Sequence, residues 1–222
     1  DYLRILRFFR FHARYGDAGI GPDADALAAI ADNLDGLDTL SRERIGGEIR
    51  KLLAAPDPAP SVATMRNLGV LARVLPGADD TALAPLVHLE HETGAPPAAM
   101  RRLAAIGGDD LPDRLRLSKE EARTLATLRQ GIGDGDGAAA LGYHHGAERA
   151  RDIVLLRAAV LQVPLDPADL VAAETGAAQV FPVKAADLMP GLQGPALGRR
   201  LKELEHRWIA SGFRLTREEL LG

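Results

Sequence analysis

The 222-residue chain contains no cysteine, so it can form neither disulfide bonds nor thiolate metal sites. Aromatic residues make up only 4% of it. No apolar run approaches the roughly 20 residues that a membrane-spanning helix needs, and no signal peptide opens the sequence. These absences allow a cytoplasmic location, and we expect a cytoplasmic protein without a membrane partner.

The composition favours an all-α fold. Hydrophobic residues make up 46% of the chain and are mainly alanine and leucine, which form helices more readily than sheets. Glycine and proline separate the helical segments, and only 178–183 has a strand-like composition. We predict an irregular multi-helix array, interrupted near 107–117 and divided into residues 1–110 and 111–222. We expect the first helix to end at Gly16. The further expected helices cover about 23–34, 42–55, 60–75, 81–92, 96–106, 119–130, 148–161, 166–174 and 196–211, and a short helix closes the chain. The expected capping residues are Ser41, Ser118 and Thr216.

The first sixteen residues are the most informative segment, with a net charge of +3 from four arginines and one aspartate. Wound at about 100° per residue, the arginines fall within about 120° of one another, opposite an apolar side. The basic face consists of Arg4, Arg7, Arg10 and Arg14, and the apolar face of Tyr2, Ile5, Leu6, Phe9 and Ala13. Asp1 precedes Arg4 at the i, i+3 spacing that brings helical side chains together. The segment therefore predicts a helix that offers guanidiniums, led by a carboxylate, to an anionic and planar partner.

Three interpretations of this helix compete. A packed helix with a solvated charged face is the default for exposed charge. A basic amphipathic helix on a membrane, or a transit peptide, is the second, and a nucleotide or RNA site is the third. Phe8, Phe11 and Tyr15 widen the apolar arc until few polar positions remain besides the arginines. This aromatic content argues against the second interpretation.

Several motifs resemble those of one enzyme family. Asp-x-Leu-Arg-Ile-Leu-Arg-x-x-Arg-Phe-x-Ala-Arg-x-Gly, residues 1–16, is similar to the nucleotide-template motif of the bacterial-type (class II) CCA-adding tRNA nucleotidyltransferases and their poly(A) polymerase relatives. That motif reads Glu-Asp-x-x-Arg, and this chain starts at the Asp. Residues 40–48 resemble the next family motif, 51–76 the segment after it, and 181–201 the carboxy-terminal pattern. The stretch 80–175 carries no motif that we assign.

The resemblance implies that the chain is the neck, body and tail of a larger enzyme. Nucleotidyl transfer needs carboxylates that hold Mg²⁺, and the family keeps these in an amino-terminal head domain. The chain has no such motif, so we assign it no catalytic residue and no cofactor, expect the fragment alone to be inactive, and expect Mg²⁺ in the missing head. Asp134-Gly135-Asp136 is interpreted as a loop, and Gly46-Gly47 is not a phosphate loop because neither a strand nor a lysine accompanies it.

An Asp and an Arg together can select nucleobases by the order of their edge groups. Cytosine offers an amino donor beside the N3 acceptor, and adenine an amino donor beside the N1 acceptor. A carboxylate only accepts and a guanidinium only donates, so Asp1 and Arg4 suit C and A alike. Uracil and guanine reverse the order, and each buried group that is left mispaired costs about 1–3 kcal/mol of binding free energy. The resemblance assigns this template role to Asp1 and Arg4, and we add Arg7 as a supporting contact.

Other charged groups offer weaker candidates. The resemblance implies that residues 40–48 brace the template helix, and Arg44 and Glu48 can pair along their own helix at i, i+4. RNA contacts are expected from the basic carboxy-terminal region, where the candidates are Lys184, Arg199, Arg200 and Lys202, although an ordinary charged helix face fits these residues as well. His88, Glu90 and His91 have metal-ligand spacing, but solvated helix histidines are the simpler interpretation, and we predict no metal site.

The resemblance implies tRNA, CTP and ATP as partners of a CCA-adding enzyme. A poly(A) polymerase shares the template and body motifs, so the sequence does not separate the two. A helical RNA-binding or interaction module without catalysis is the alternative from another class. The sequence does not determine the oligomeric state.

Overall fold

The structure, a computed structural model, describes residues 1–16, 21–189 and 191–222. These residues form α-helices and a single 3-10 helix and contain no strand, which confirms the all-α prediction. The α-helices are α1 (Leu3–Tyr15), α2 (Ala24–Ala31), α3 (Arg42–Leu53), α4 (Ala59–Asn67), α5 (Val70–Val74), α6 (Leu83–Thr93), α7 (Ala99–Ile106), α8 (Leu111–Arg114), α9 (Lys119–Gly133), α10 (Ala138–His145), α11 (Ala147–Leu161), α12 (Pro167–Ala177), α13 (Ala185–Leu188), α14 (Gly194–Ala210) and α15 (Arg217–Leu221). The 3-10 helix, Leu34–Thr39, lies between α2 and α3.

The capping residues begin the helices where the sequence predicted. The Ser41 hydroxyl accepts the backbone N–H of Arg44 at the start of α3. At α9 the bonds are reciprocal, because Ser118 Oγ accepts from the Glu121 N–H at 3.2 Å and the Glu121 carboxylate from the Ser118 N–H at 2.7 Å. Thr216 caps α15 in the same way. Such caps satisfy backbone donors that the first turn of a helix leaves unpaired.

Two predicted elements differ from the structure. The helix expected over 60–75 is two helices, because Gly69 adopts a left-handed φ of 79° between α4 and α5. A left-handed residue ends the regular helical hydrogen bonding, and glycine adopts it without steric cost. The strand-like segment 178–183 forms a turn and irregular backbone instead. The sequence did not predict α10, because its residues were not assigned to any helix.

The first of two compact units contains residues 1–134 and 152–165. Its apolar core includes Leu6 and Phe9 of α1, Ile49 of α3 and Leu103 of α7, all at most 2% exposed. The helix pairs in contact include α1 with α3 and α4, and α7 with α3, α6 and α9. The amino-terminal helix is therefore packed into this unit along one side.

A buried ionic network fixes the carboxy-terminal end of α3. Glu90 accepts from Arg101 Nε and Arg102 Nε, each at 2.9 Å, and the three side chains are at most 3% exposed. Arg102 also donates to the backbone oxygens of Leu53 at 2.7 Å and Pro56 at 2.9 Å. The last carbonyls of a helix lack intrahelical partners, and Arg102 supplies a donor to that of Leu53 and to the chain that follows. The network ties the end of α3 to α6 and α7.

The second unit contains residues 135–151 and 166–222. α10 and α12 approach so closely that a Cβ on Gly142 would lie 2.0 Å from the backbone oxygen of Ala173. An aromatic cluster joins Tyr143, Phe181, Trp208 and Phe213, with ring centroids 4.9–5.8 Å apart. Glycine thus permits the helix contact, and the rings form the core beside Val183, Leu204 and Leu220.

Tyr143 combines apolar packing with a polar contact. Its hydroxyl donates to Glu205 at 2.5 Å. Burial, helped by this carboxylate, raises the pKa of Tyr143 to about 12. The neutral phenol is therefore the form that this core accommodates.

The bounds of the two units differ from the predicted ranges 1–110 and 111–222. The predicted ranges separate template and tRNA-facing parts, and as a functional division they stay a prediction. Among the described residues, every helix is too short or too polar to cross a bilayer.

Candidate nucleic-acid interface

The amino-terminal helix α1 buries one side and exposes its arginines. Of the predicted apolar side, Ile5, Leu6 and Phe9 are at most 7% exposed, whereas Ala13 is half-buried and Tyr2 is 42% exposed. Leu3, which was not assigned to that side, is also buried. The exposed positions of the helix include Arg4, Arg7, Phe11, Arg14 and Tyr15. The chain thus presents a row of cations and two aromatic rings on the surface of the first unit.

Asp1 is held in place by a residue that the sequence did not pair with it. Its Oδ2 lies 2.5 Å from Arg44 Nη2 of α3, and its Oδ1 accepts the backbone N–H of Leu3 at 3.2 Å. The Asp1 side chain stays 47% exposed, so its oxygens can accept further hydrogen bonds. The carboxylate is oriented and still accessible.

The side chain of Arg4 is exposed and has no hydrogen-bond or ion-pair partner among the described residues. The i, i+3 spacing predicted that Arg4 and Asp1 would lie side by side, but the acidic group pairs with Arg44 instead. A cross-helix partner thus replaces the local one. All guanidinium donors of Arg4 remain available to a ligand.

Glu48 braces α1 against α3. Its side chain is only 6% exposed and lies 2.7 Å from Arg10 Nε and 3.6 Å from Arg7 Nε. The Arg10 contact is an ion pair whose angles are not those of a hydrogen bond. The expected pairing of Glu48 with Arg44 along α3 is wrong, because Arg44 pairs with Asp1 and Glu48 pairs with arginines of the first helix. Arg7 keeps 48% of its side chain exposed.

Two glycines allow close approaches around α3 and the start of α1. A Cβ on Gly46 would lie 2.1 Å from the backbone oxygen of Leu115, so the chain following α8 packs directly on α3. A Cβ on Gly36 would lie about 2 Å from the Tyr2 ring. The sequence excluded a phosphate loop at Gly46 but did not reveal this contact. Since side chains would not fit, these glycines help to set the position of the brace.

The basic carboxy-terminal candidates lie in the second unit. Arg199, Arg200 and Lys202 belong to α14 and, with Arg207 and His206, line an open cleft of about 610 Å³. Arg200 pairs with Glu203 at 3.2 Å. The exposed Lys184 precedes α13 and is not part of the cleft lining. The structure therefore groups three of the four predicted residues.

Two members of the His88, Glu90 and His91 group have other contacts. Both oxygens of Glu90 receive hydrogen bonds from arginines, and His88 lies 3.7 Å from Glu92 with 72% of its side chain exposed. The residues 134–137 form an irregular loop between α9 and α10, as expected.

A family model and several curated proteins match this chain, and they point to one enzyme family. The family described as "Probable RNA and SrmB-binding site of polymerase A" matches residues 20–81. The Multifunctional CCA protein of Azoarcus sp. (strain BH72) is 34% identical over 198 residues, covering 85% of this chain and 45% of the relative. The mitochondrial CCA tRNA nucleotidyltransferase 1 of Mus musculus is 30% identical over 236 residues, covering 100% of this chain and 54% of the relative.

Solved structures extend the likeness to the fold. The Thermotoga maritima CCA-adding enzyme, solved in complex with tRNA, has a TM-score of 0.63 and 15% identity, covering 100% of this chain and 60% of that chain. Other structures of CCA-adding enzymes with similar scores contain ATP or CTP. The chain spans about half the length of the curated relatives it matches. It belongs to the bacterial-type family of CCA-adding tRNA nucleotidyltransferases and poly(A) polymerases, and it corresponds to their carboxy-terminal, all-helical part.

Proposed function

We propose that the complete protein adds CCA to the 3′ ends of tRNA, and that these 222 residues supply the helix that selects CTP and ATP together with tRNA-binding helices. The observation that carries the proposal is the arrangement at the start of α1. There an exposed carboxylate, Asp1, is oriented by Arg44, and the exposed Arg4 follows at i+3 with all its donors available.

The orientation of Asp1 supports base selection. A carboxylate held by two donors loses little freedom when a base binds, so more of the hydrogen-bond energy remains for discrimination. Arg4 would donate to N3 of cytosine or N1 of adenine while Asp1 accepts from the amino group. Arg7, half exposed and 3.6 Å from Glu48, would give a supporting contact to the nucleotide or to its neighbour.

We expect the protein to contact the RNA substrate at positions beyond the incoming nucleotide. The family that matches 20–81 is described as a probable RNA-binding site, and a related enzyme was solved with tRNA. We therefore propose RNA contacts in this region and at the basic residues of the second unit: Lys184, Arg199, Arg200 and Lys202. We expect Mg²⁺ to be held by carboxylates outside these 222 residues, because transfer requires them. A cytoplasmic location remains a prediction.

Nucleotide incorporation tests the proposal. The complete protein is given tRNA lacking its terminal CCA, with CTP, ATP or both, and the products are sequenced. We expect C, C and A to be added in that order. Addition of A alone would instead identify a poly(A) polymerase, the alternative to which the matched family's description points. No addition of either nucleotide would favour a helical RNA-binding or interaction module, and turnover by the 222 residues alone would contradict the expected need for a head domain.

A further inference from the structure

A small arginine-lined cleft lies in the first unit, apart from the residues assigned above. Its volume is about 180 Å³, and its charged lining comes from Arg42, Arg73, Arg114 and Asp38. Liquid water occupies about 30 Å³ per molecule, so the space accommodates a small anionic group with several waters. The remaining lining is apolar.

Two of the three arginines are already paired with carboxylates. Arg73 lies 2.8 Å from Asp35 and 2.9 Å from Asp38. Arg42 pairs with Asp113. These contacts fix the two guanidiniums beside the cleft, but they also use part of their donor capacity.

Arg114 is different, because its side chain has no acceptor among the described residues. Its Nε is buried, yet neither a hydrogen bond nor an ion pair reaches it. An unpaired buried donor is costly, and more so when it carries charge. The cleft therefore holds one guanidinium that no protein acceptor in the described residues engages and that is open to an acceptor from outside.

The surroundings favour an anion, and the guanidinium favours a phosphate. The planar fork of an arginine matches two phosphate oxygens at once. α3 begins at Arg42, so the positive end of its dipole adds to the field in the cleft. Asp38 in the lining, Asp35 and Asp113 match the three arginines in charge, so the attraction for an anion comes from the unpaired donors of Arg114 and not from an excess of cations.

The position relative to the template indicates which phosphate would bind. Arg42 lines the cleft, and Arg44, two residues further in the same helical turn, holds Asp1. Residues two apart face different sides of a helix, so the cleft and the proposed nucleotide position flank the start of α3 on different sides. An RNA whose 3′ end reaches Asp1 would carry its backbone phosphates past this point.

We propose that the cleft around Arg114 binds a backbone phosphate of the RNA substrate, with Arg42 and Arg73 as supporting cations. This inference rests on the proposed function. It adds a contact outside the matched region 20–81, since Arg114 lies beyond it.

Equilibrium binding of the complete protein to tRNA lacking CCA, at several KCl concentrations, tests the inference. For Arg114→Gln we expect about tenfold weaker binding, as for a lost hydrogen bond to a charged group. The slope of log affinity against log salt should fall by about 0.7–0.9, the value for one phosphate contact. Arg123→Gln is the matched control, because Arg123 of α9 is exposed and has no partner among the described residues.

Arg114→Lys separates charge from the fork of hydrogen bonds. It should restore the salt slope and only part of the affinity, since lysine keeps the charge as a single point. Without RNA, Arg114→Gln should unfold at the wild-type temperature or above, because it removes a buried Nε donor that has no acceptor. If the Arg114→Gln variant fails to fold, the tRNA affinities of Arg114→Lys and its control Arg123→Lys are compared instead.

The outcomes separate this inference from the proposed function. Tight tRNA binding by the wild type with equal affinities of the Arg114→Gln and Arg123→Gln variants would overturn the cleft and leave the function intact. Weaker nucleotide binding with unchanged tRNA affinity would assign the anion to the triphosphate, which also overturns it. Absence of tRNA binding by the wild type would refute both.

Discussion

Replacing Glu48 with glutamine tests how the structure positions the template helix. Glu48→Gln keeps the shape of the side chain and removes the charge that lies 2.7 Å from Arg10 and 3.6 Å from Arg7. Nothing else in the contact between α1 and α3 changes. The variant therefore isolates the electrostatic part of the brace.

The exposure of the partners sets the magnitude. Breaking a fully buried ion pair costs about 3–5 kcal/mol, and an exposed pair contributes at most about 1 kcal/mol. Here the carboxylate is 6% exposed, but Arg10 is 20% and Arg7 48% exposed, so the arginines left behind regain water. We expect the local opening of α1 to become easier by about 2 kcal/mol. This corresponds to about 30-fold lower protection of its amides.

Hydrogen exchange of the α1 amides, followed by mass spectrometry, measures this loss. Glu43→Gln is the control on the same helix, because Glu43 is 65% exposed and pairs with Arg116 at 3.4 Å. We expect protection of α1 to be unchanged in the control. The emission of Trp208 in the second unit reports whether the effect stays local. Equal protection of α1 in the two variants would refute the brace.

Gly142→Ala should destabilise the second unit by about 1–3 kcal/mol, since its Cβ would lie 2.0 Å from the Ala173 backbone oxygen. Gly198→Ala is the control, because a Cβ there would lie in open space within α14, and it should stabilise the same unit by about 0.5–1 kcal/mol. Thermal unfolding monitored at Trp208 measures both, and a Gly142→Ala variant as stable as wild type would contradict the close helix contact. Hydrogen bonding from Arg217 lowers the pKa of Asp187 from 3.8 to about 2. Because the folded pKa is the lower one, the stabilisation is present above about pH 4 and lost as the pH falls towards 2. Acid titration of unfolding should show this loss in wild type but not in Asp187→Asn.

The caps and the apolar side of α1 could be predicted from sequence because they depend on residues a few positions apart. Ser118 and Glu121 satisfy each other across three residues, and Leu6 and Phe9 follow the helical period. The break at Gly69 could not be placed, because the apolar helical pattern continues on both sides of it. Local signals fix where helices begin more firmly than where a helix is interrupted.

The partners within the candidate site could not be predicted in the same way. Asp1 pairs with Arg44, 43 positions away, rather than with Arg4. Glu48 likewise pairs with Arg10, and not along its own helix. Spacing rules describe contacts within one helix, whereas these contacts depend on how α1 packs on α3. Arg114 has no sequence signature, because an unpaired charge is visible only after its surroundings are known.

The ratio of C to U and of A to G incorporation by Arg4→Ala tests the central claim most directly. The complete protein, its Arg4→Ala variant and the control Arg14→Ala, which removes an exposed and equally unpartnered arginine of the same helix, are compared on tRNA lacking CCA. We predict that Arg4→Ala lowers selection by about one to two decades, as one mispaired group contributes 1–3 kcal/mol, and that Arg14→Ala retains it. Unchanged selection in Arg4→Ala, or an equal loss in Arg14→Ala, would contradict the assignment of Asp1 and Arg4 as the base-selecting pair.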